Sequence, residues 1–349
     1  MAGQEIFKML MNQILLKDLN FNYLYCSFIC VSNIPFITYP RVSDCLKYLT
    51  ELSCCSNIPS KFFYRLSQIC HHIQTLKIQF EGVISNGLSE LISAQHNLTI
   101  LNVFNDSNSQ DVIMSTLSNL PNTLIKLDID LGGFYLPLSF ISKFTILQEL
   151  ILSFFYHIEY FKDLQHVTFP HLQILKFHYA CPNHGYLTKF LENNGKNLTE
   201  LYIYDYDMSS LNLAIAKFCP NLRSLCTISK NDEIETLKMV FYSCQHLESI
   251  EVRCDYDNLN ESKILETIAN HSPKKFYELK IYYASNTLEL FPEELEPVFK
   301  IWANRIPQIP LSLIITRGYC VCNLEVKKEN MIAIEKFKRL GVIKKFEIK

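Results

Sequence analysis

An apolar phrase returns about every 25 residues along this chain, from its first fifth to its last. Its anchors are Ile73, Leu98, Leu124, Leu147, Leu172, Leu198, Leu222, Leu247 and Phe276, with steps of 25, 26, 23, 25, 26, 24, 25 and 29. Three residues after each anchor stands a second apolar residue, and usually two further on a third: Leu98, Leu101, Val103; Leu124, Leu127, Ile129; Leu147, Leu150, Leu152; Leu172, Leu175, Phe177. The copy at Leu222 and Leu225 departs from the rule, with Thr227 in the third slot. A period in this range marks a stacked repeat protein.

The second and third apolar residues are two apart, the spacing of one face of a strand. A lone short strand cannot bury them, so neighbouring copies must stack, pair in parallel and share one core. Helical spacing fills several stretches between phrases: Lys61 to His71, Gly87 to His96, Tyr186 to Lys196, Leu211 to Cys219, Glu233 to Gln245 and Lys263 to Asn270. Parallel strands joined by a crossover helix are nearly always right-handed. The expected fold is therefore α/β: a solenoid bent into a horseshoe, with parallel strands on the concave face and helices on the convex face. Residues 1–45 read as an irregular N-terminal cap or degenerate repeat around Leu16, Leu19 and Phe21, residues 46–290 as repeats, and residues 291–349 as atypical repeats and a C-terminal cap. In that last stretch Glu293 to Ile306 reads as a helix with Trp302 on its apolar side. Leu311 to Thr316 reads as a strand, Asn330 to Leu340 as a helix ended by Gly341, and Ile343, Phe346 and Ile348 as a final phrase.

The phrases resemble the leucine-rich repeat, and specifically its cysteine-containing type found in F-box proteins. Cys70, Cys219 and Cys244 each precede an anchor by three, and the runs Cys219-Pro220-Asn221-Leu222 and Cys244-Gln245-His246-Leu247 match that type well. The chain is similar to the F-box-like leucine-rich-repeat families expanded in fungi. The resemblance implies a division of labour: an N-terminal F-box docks on a Skp1-type adaptor of a ubiquitin ligase (SCF) complex, and the repeats hold the substrate. Residues 1–45 lack a Leu-Pro opening followed by a helical F-box, so the F-box is expected to be missing or degenerate, or to lie upstream.

Composition narrows the partners. Across 349 residues, 33 basic and 35 acidic side chains leave a net charge of −2, which favours neither nucleic acid nor a membrane surface. Thirteen cysteines without a secretory signal suggest a reducing compartment, cytoplasmic or nuclear. Phe21 to Tyr39 is apolar, but Asn22, Asn33 and Pro35 interrupt it short of a span. The N-x-S/T triplets at Asn97, Asn105, Asn197 and Asn260 read as chance matches in such a chain.

On each strand the residues between the inward pair face outward and build columns across the sheet. The candidates for contact with a protein partner on the concave face are Asp128, Ile151, Lys176, His178, Tyr202, Tyr204, Glu251 and Arg253. Ile151, His178, Tyr202 and Tyr204 fall on adjacent copies and suggest an aromatic-centred patch, aromatic residues being favoured as binding anchors. The same columns also read as an ordinary solvated face. His178, Cys181 and His184 have ligand-like spacing but no fourth partner, and Cys320 and Cys322 do not form the spacing of redox or zinc pairs. No phosphate loop, nucleophile elbow or His-Glu-x-x-His pair occurs, so neither catalysis nor a cofactor or metal is expected. Two readings of function stand: the substrate-recognition part of an F-box-type ubiquitin ligase, or a free-standing repeat scaffold for protein–protein interaction. In either the chain is expected to be a monomer within a complex.

Overall fold

The structure is a computed structural model and describes residues 16–20, 42–133, 135–153, 158–203, 209–228, 234–254, 261–283, 292–317 and 328–348. The chain divides into two compact units, Met1–Leu172 and Gln173–Lys349.

In the first unit the repeat phrases become six short strands: β1 (Asp18–Asn20), β2 (Glu51–Cys55), β3 (Thr75–Glu81), β4 (Ile100–Asp106), β5 (Lys126–Asp130) and β6 (Glu149–Ser153). All pair in parallel, each with its neighbours in sequence. The register matches copy to copy. Leu52, Leu76, Leu101, Leu127 and Leu150 form one rung line, and Cys54, Ile78, Val103, Ile129 and Leu152 the next. Every residue of the first line is fully buried. The second unit repeats this with β7 (Ile174–His178), β8 (Glu200–Tyr202), β9 (Ser224–Ile228), β10 (Ser249–Cys254), β11 (Glu278–Tyr283), β12 (Leu311–Arg317) and β13 (Ile343–Ile348). Its rung line runs Leu175, Leu201, Leu225, Ile250, Leu279, Leu313 and Phe346. Thr227, the irregular third-slot residue, is fully buried in register with Val252.

One backbone device recurs at most steps. The carbonyl of the residue after an anchor accepts two N–H groups from the next copy: Gln74 O from Thr99 and Ile100, Thr99 O from Ile125 and Lys126, Ile125 O from Gln148 and Glu149, all at 2.8–3.0 Å. In the second unit Thr199, Arg223 and Glu248 do the same for their successors. Such pairing satisfies the entry to each strand and sets the register before any side chain is counted.

Helices bury the other side of the rungs. In the first unit these are α1 (Val42–Leu46), α2 (Ser60–Ile69), α3 (Asn86–Ser93) and α4 (Gln110–Ser118). In the second they are α5 (His184–Asn194), α6 (Ser209–Phe218), α7 (Ile234–Ser243), α8 (Glu261–His271), α9 (Pro292–Ala303) and α10 (Lys328–Arg339). In α7 the buried residues are Ile234, Leu237, Val240 and Phe241, the spacing of one helical face. Asn183 caps α5, its Oδ1 accepting from Gly185 N at 2.9 Å. Gly87 sits where α3 meets α2: an added Cβ would lie 2.5 Å from the Ser60 carbonyl oxygen. Trp302 is buried on α9, donating from Nε1 to Ile309 O at 2.9 Å, and α10 ends before Gly341 at φ +73°.

The cysteine position has a physical role. Cys70 Sγ donates to Leu46 O at 3.3 Å and Cys244 Sγ to Cys219 O at 3.2 Å, each reaching back to the preceding copy. Burial pushes both thiols up to about 12. Where the series has Gln95 instead, its amide does the same work, donating to Cys70 O at 2.7 Å and accepting from Ile73 N at 3.1 Å.

The strand–turn–helix unit is not uniform. After β5 and β6 the connections carry 3-10 turns, at Ser139–Lys143 and Ile158–Leu164. The first follows Gly132–Gly133 and Pro137, which interrupt an α-helix, and lies in the shortest repeat. Leu136, Leu138, Phe140, Ile141 and Phe144 still fill its core. Leu150→Ala is expected to cost about 2–5 kcal/mol in a urea melt, since it removes a fully buried rung. An unchanged midpoint would place Leu150 outside the core.

Candidate functional site

The strand faces opposite the buried rungs carry the candidate contacts, and each unit presents its own. On the first, parallel register aligns Ser53, Lys77, Asn102, Asp128 and Ile151 in one row, and Cys55, Gln79, Phe104, Asp130 and Ser153 in the next. Lys77 Nζ meets Glu51 Oε1, Lys126 Nζ meets Glu149 Oε1 at 3.0 Å, and both pairs lie toward the strand starts. Such partly exposed pairs contribute about 0–1 kcal/mol each and mainly order the side chains. Ile151 is 8% exposed, so its outward position is largely covered. Asp128 lies half-buried beside Asn102, whose Oδ1 is shut off from water and has no hydrogen-bond partner among the described residues.

Burial raises the Asp128 carboxyl above the ordinary range, with Asp130 and Glu149 adding to it and Lys126 opposing. The folded state thus holds this proton more tightly than the unfolded chain. Ionising Asp128 therefore costs stability as pH rises past the ordinary carboxylate value. Asp128→Asn is expected to raise the urea midpoint at pH 7, with the gain shrinking as pH falls through the carboxylate range. A variant less stable than the parent at pH 7 would contradict the burial cost.

On the second unit, one row runs Lys176, Tyr202, Cys226, Glu251 and Lys280, and Arg253 aligns with Tyr282 on the next. Lys176 Nζ lies 3.2 Å from Glu200 Oε2, and Lys280 Nζ 3.0 Å from Glu278 Oε1. The His178 and Tyr202 rings stand 5.1 Å apart between centroids, tilted at 53°. Arg253 Nη1 donates to the Tyr202 hydroxyl oxygen at 2.7 Å, across the intervening strand. Its guanidinium lies 3.8 Å from the Tyr282 ring centroid, a cation–π contact. Cys226 stands between Tyr202 and Glu251 in the row, and Glu251 Oε1 is 3.9 Å from Arg253 Nη1. Burial, with Cys226, pushes the Tyr202 phenol well up against the pull of Arg253, and burial with Glu251 does the same to the thiol. Both stay protonated and available as donors at neutral pH.

The structure thus brings His178, Tyr202, Glu251 and Arg253 together, with Lys176 neighbouring Tyr202 in the row. Tyr204 lies outside the described residues, as do Cys320 and Cys322. Three contributors were not among the sequence candidates. Cys226 was obscured by the irregular copy at Leu222, although the 24-residue step from Leu201 to Leu225 would have placed it beside Tyr202. Nothing in the sequence signals that Arg253 stacks on Tyr282. Tyr179 follows β7 at φ 71° and is 54% exposed, its ring 6.5 Å from that of His178. A bulky residue in that region is strained, and such strain concentrates at binding surfaces.

The ligand-like trio does not converge on an ion. His178 packs on Tyr202, Cys181 is buried, and His184 Nδ1 pairs with Ser210 Oγ at 2.8 Å. Among the described residues no group of three His, Cys, Asp or Glu side chains could hold a metal, and no helix is long and apolar enough to cross a membrane.

The repeat period and the copy-to-copy parallel register define the chain as an α/β leucine-rich-repeat solenoid. No protein-family model matches the chain, and no curated protein matches its sequence. Among solved structures, the chain is similar to the leucine-rich-repeat-containing protein LegL7 from Legionella pneumophila. Identity is 17%, the match covers 84% of this chain and 92% of that one, and the TM-score is 0.46.

Proposed function

We propose that this chain is a non-enzymatic protein-binding module whose outward strand side chains grip a polypeptide partner. Lys176, His178, Tyr202, Glu251 and Arg253 do so on the second unit, and Asp128 on the first, where Ile151 lies covered beside it. The observation that carries the reading is Arg253 held between the Tyr202 hydroxyl and the Tyr282 ring, with Glu251 beside it. Long side chains lose rotamer freedom on binding, and a side chain already held loses less. Tyrosine and arginine are also the residue types that dominate binding energy at protein interfaces.

The finer assignment is the substrate-recognition part of an F-box-type ubiquitin ligase. It rests on the likeness of the Cys70, Cys219 and Cys244 phrases to the cysteine-containing repeat of F-box proteins. A free-standing scaffold needs only the binding face. Affinity capture with the full chain, followed by titration of the captured partner, tests both levels. Tyr202→Ala combined with Arg253→Ala is expected to weaken the partner at least about tenfold, the loss of a hot-spot pair. Unchanged affinity in a variant with an unaltered circular dichroism spectrum would remove the second unit's face from binding. Co-purification of a Skp1-type adaptor supports the ligase role; a captured partner with no adaptor supports the scaffold.

A further inference from the structure

The rungs of the second unit lose their cover at β13. From Leu175 to Leu313 they are at most 3% exposed. Phe346, in register with Leu313, is partly exposed, and Ile348, in register with Ile315, is 41% exposed. Among the described residues β13 stands last in the strand order and pairs on one side only, with β12. The helix of the same repeat, α10, exposes Ile332 at 70%, and Leu340 just past it is 62% exposed. A terminal repeat ordinarily turns a polar surface outward. This one presents apolar side chains and an open strand edge, and such an edge is a template for another strand.

Lysines and bulges are the usual guards of an edge. Here the register shift falls at the start of β13, between Ile343 and Lys345. The run Lys345, Phe346, Glu347, Ile348 then pairs regularly with Ser312 to Ile315. Lys345 Nζ lies 2.9 Å from Glu347 Oε1, so its charge is matched within the strand.

The alternation of β13 selects what can pair with it. Phe346 and Ile348 take the inward side with Leu313 and Ile315, and Lys345 and Glu347 the outward side. Two such strands related by a two-fold axis run antiparallel, and residues directly opposite share a face. With the axis at Phe346, that ring meets its own counterpart. Lys345 then meets Glu347 of the second molecule, and Glu347 meets its Lys345. A slip of one residue along the strand, in either direction, moves the axis onto Lys345 or Glu347 and sets like charges opposite one another, which is unfavourable. One register is thus complementary to itself in both charge and apolar content. A head-to-tail contact on β1 would offer only three residues, Asp18–Asn20, and would not close.

We propose that β13 is a self-association edge, through which two molecules of this chain pair antiparallel over residues 344–348 about a two-fold axis at Phe346. The inference stands apart from the outward binding faces, and it replaces the single molecule expected from the sequence with a pair. An interface of one strand and its flanks belongs to the small, transient class, so the dimer is expected to dissociate at about 1–100 μM.

Sedimentation equilibrium of the full chain across that concentration range tests it. Lys345→Glu and Glu347→Lys alter surface positions, with side chains 47% and 36% exposed. Each is expected to weaken self-association about tenfold, because each sets like charges opposite across the axis. Mixed in equal amounts, the two variants are expected to pair with about the parent affinity, since two acids of one molecule then face two lysines of the other. A loss that came only from breaking the Lys345–Glu347 contact within one molecule would not recover on mixing. A parent that stays monomeric throughout, variants that associate as the parent does, a mixture that does not recover, or open-ended growth in place of a dimer overturns the proposal.

Discussion

A three- to seven-residue strand with two or three apolar residues on one face cannot bury them alone. Everything else in this chain follows from the solution it adopts, which is to lay the next copy alongside in the same register. Each copy closes the rung below it and leaves its own rung for its successor, and at most steps one carbonyl accepts two N–H groups of the next copy. That arrangement is tolerant in one way and strict in another. Thr227 can replace an aliphatic residue in the third slot and still be buried, because the paired backbone holds the strand in place. Gly87 is less replaceable, because the backbone of α2 occupies the space a side chain would need.

Register does more than build a core. Since side chains alternate across a strand, fixing the inward set fixes the outward set, and residues about 25 positions apart become lateral neighbours. Tyr202, Cys226 and Glu251 share a row for that reason, and Arg253 can reach back across one strand to the Tyr202 hydroxyl. The two units use the rule differently. The second holds an arginine between a tyrosine hydroxyl and an aromatic ring. The first sets Asp128 beside Asn102, with Lys77 and Lys126 paired toward the strand starts.

The legible part of this molecule was periodic. Anchors at Ile73 through Phe276 placed the strands, and the rung residues Leu101, Leu127 and Leu150 could be assigned before any coordinates. Even the irregular end was readable, with Trp302 buried and Gly341 terminating the last helix at positive φ. What escaped was aperiodic. The 3-10 connection after β5 follows Gly132, Gly133 and Pro137 within a short copy, where local breakers override a helical expectation. The cysteine position was visible as a motif, but its hydrogen bond to the previous copy was not, nor was the substitution of Gln95 for the thiol. Of the site, the columns could be drawn from alternation. The stacking of Arg253 on Tyr282 and the burial of Ile151 depend on side-chain packing that alternation does not encode.

The shared ladder is the claim on which the binding faces depend, and leucine methyl NMR tests it most directly. With Leu methyl groups selectively labelled in the full chain, cross-peaks are predicted between Leu52 and Leu76, Leu76 and Leu101, Leu101 and Leu127, and Leu127 and Leu150. None is predicted between Leu76 and Leu150, which stand three rungs apart at about 4.8 Å per strand. Contacts that skip rungs, or rung neighbours that give no cross-peak, would contradict the ladder and with it both faces.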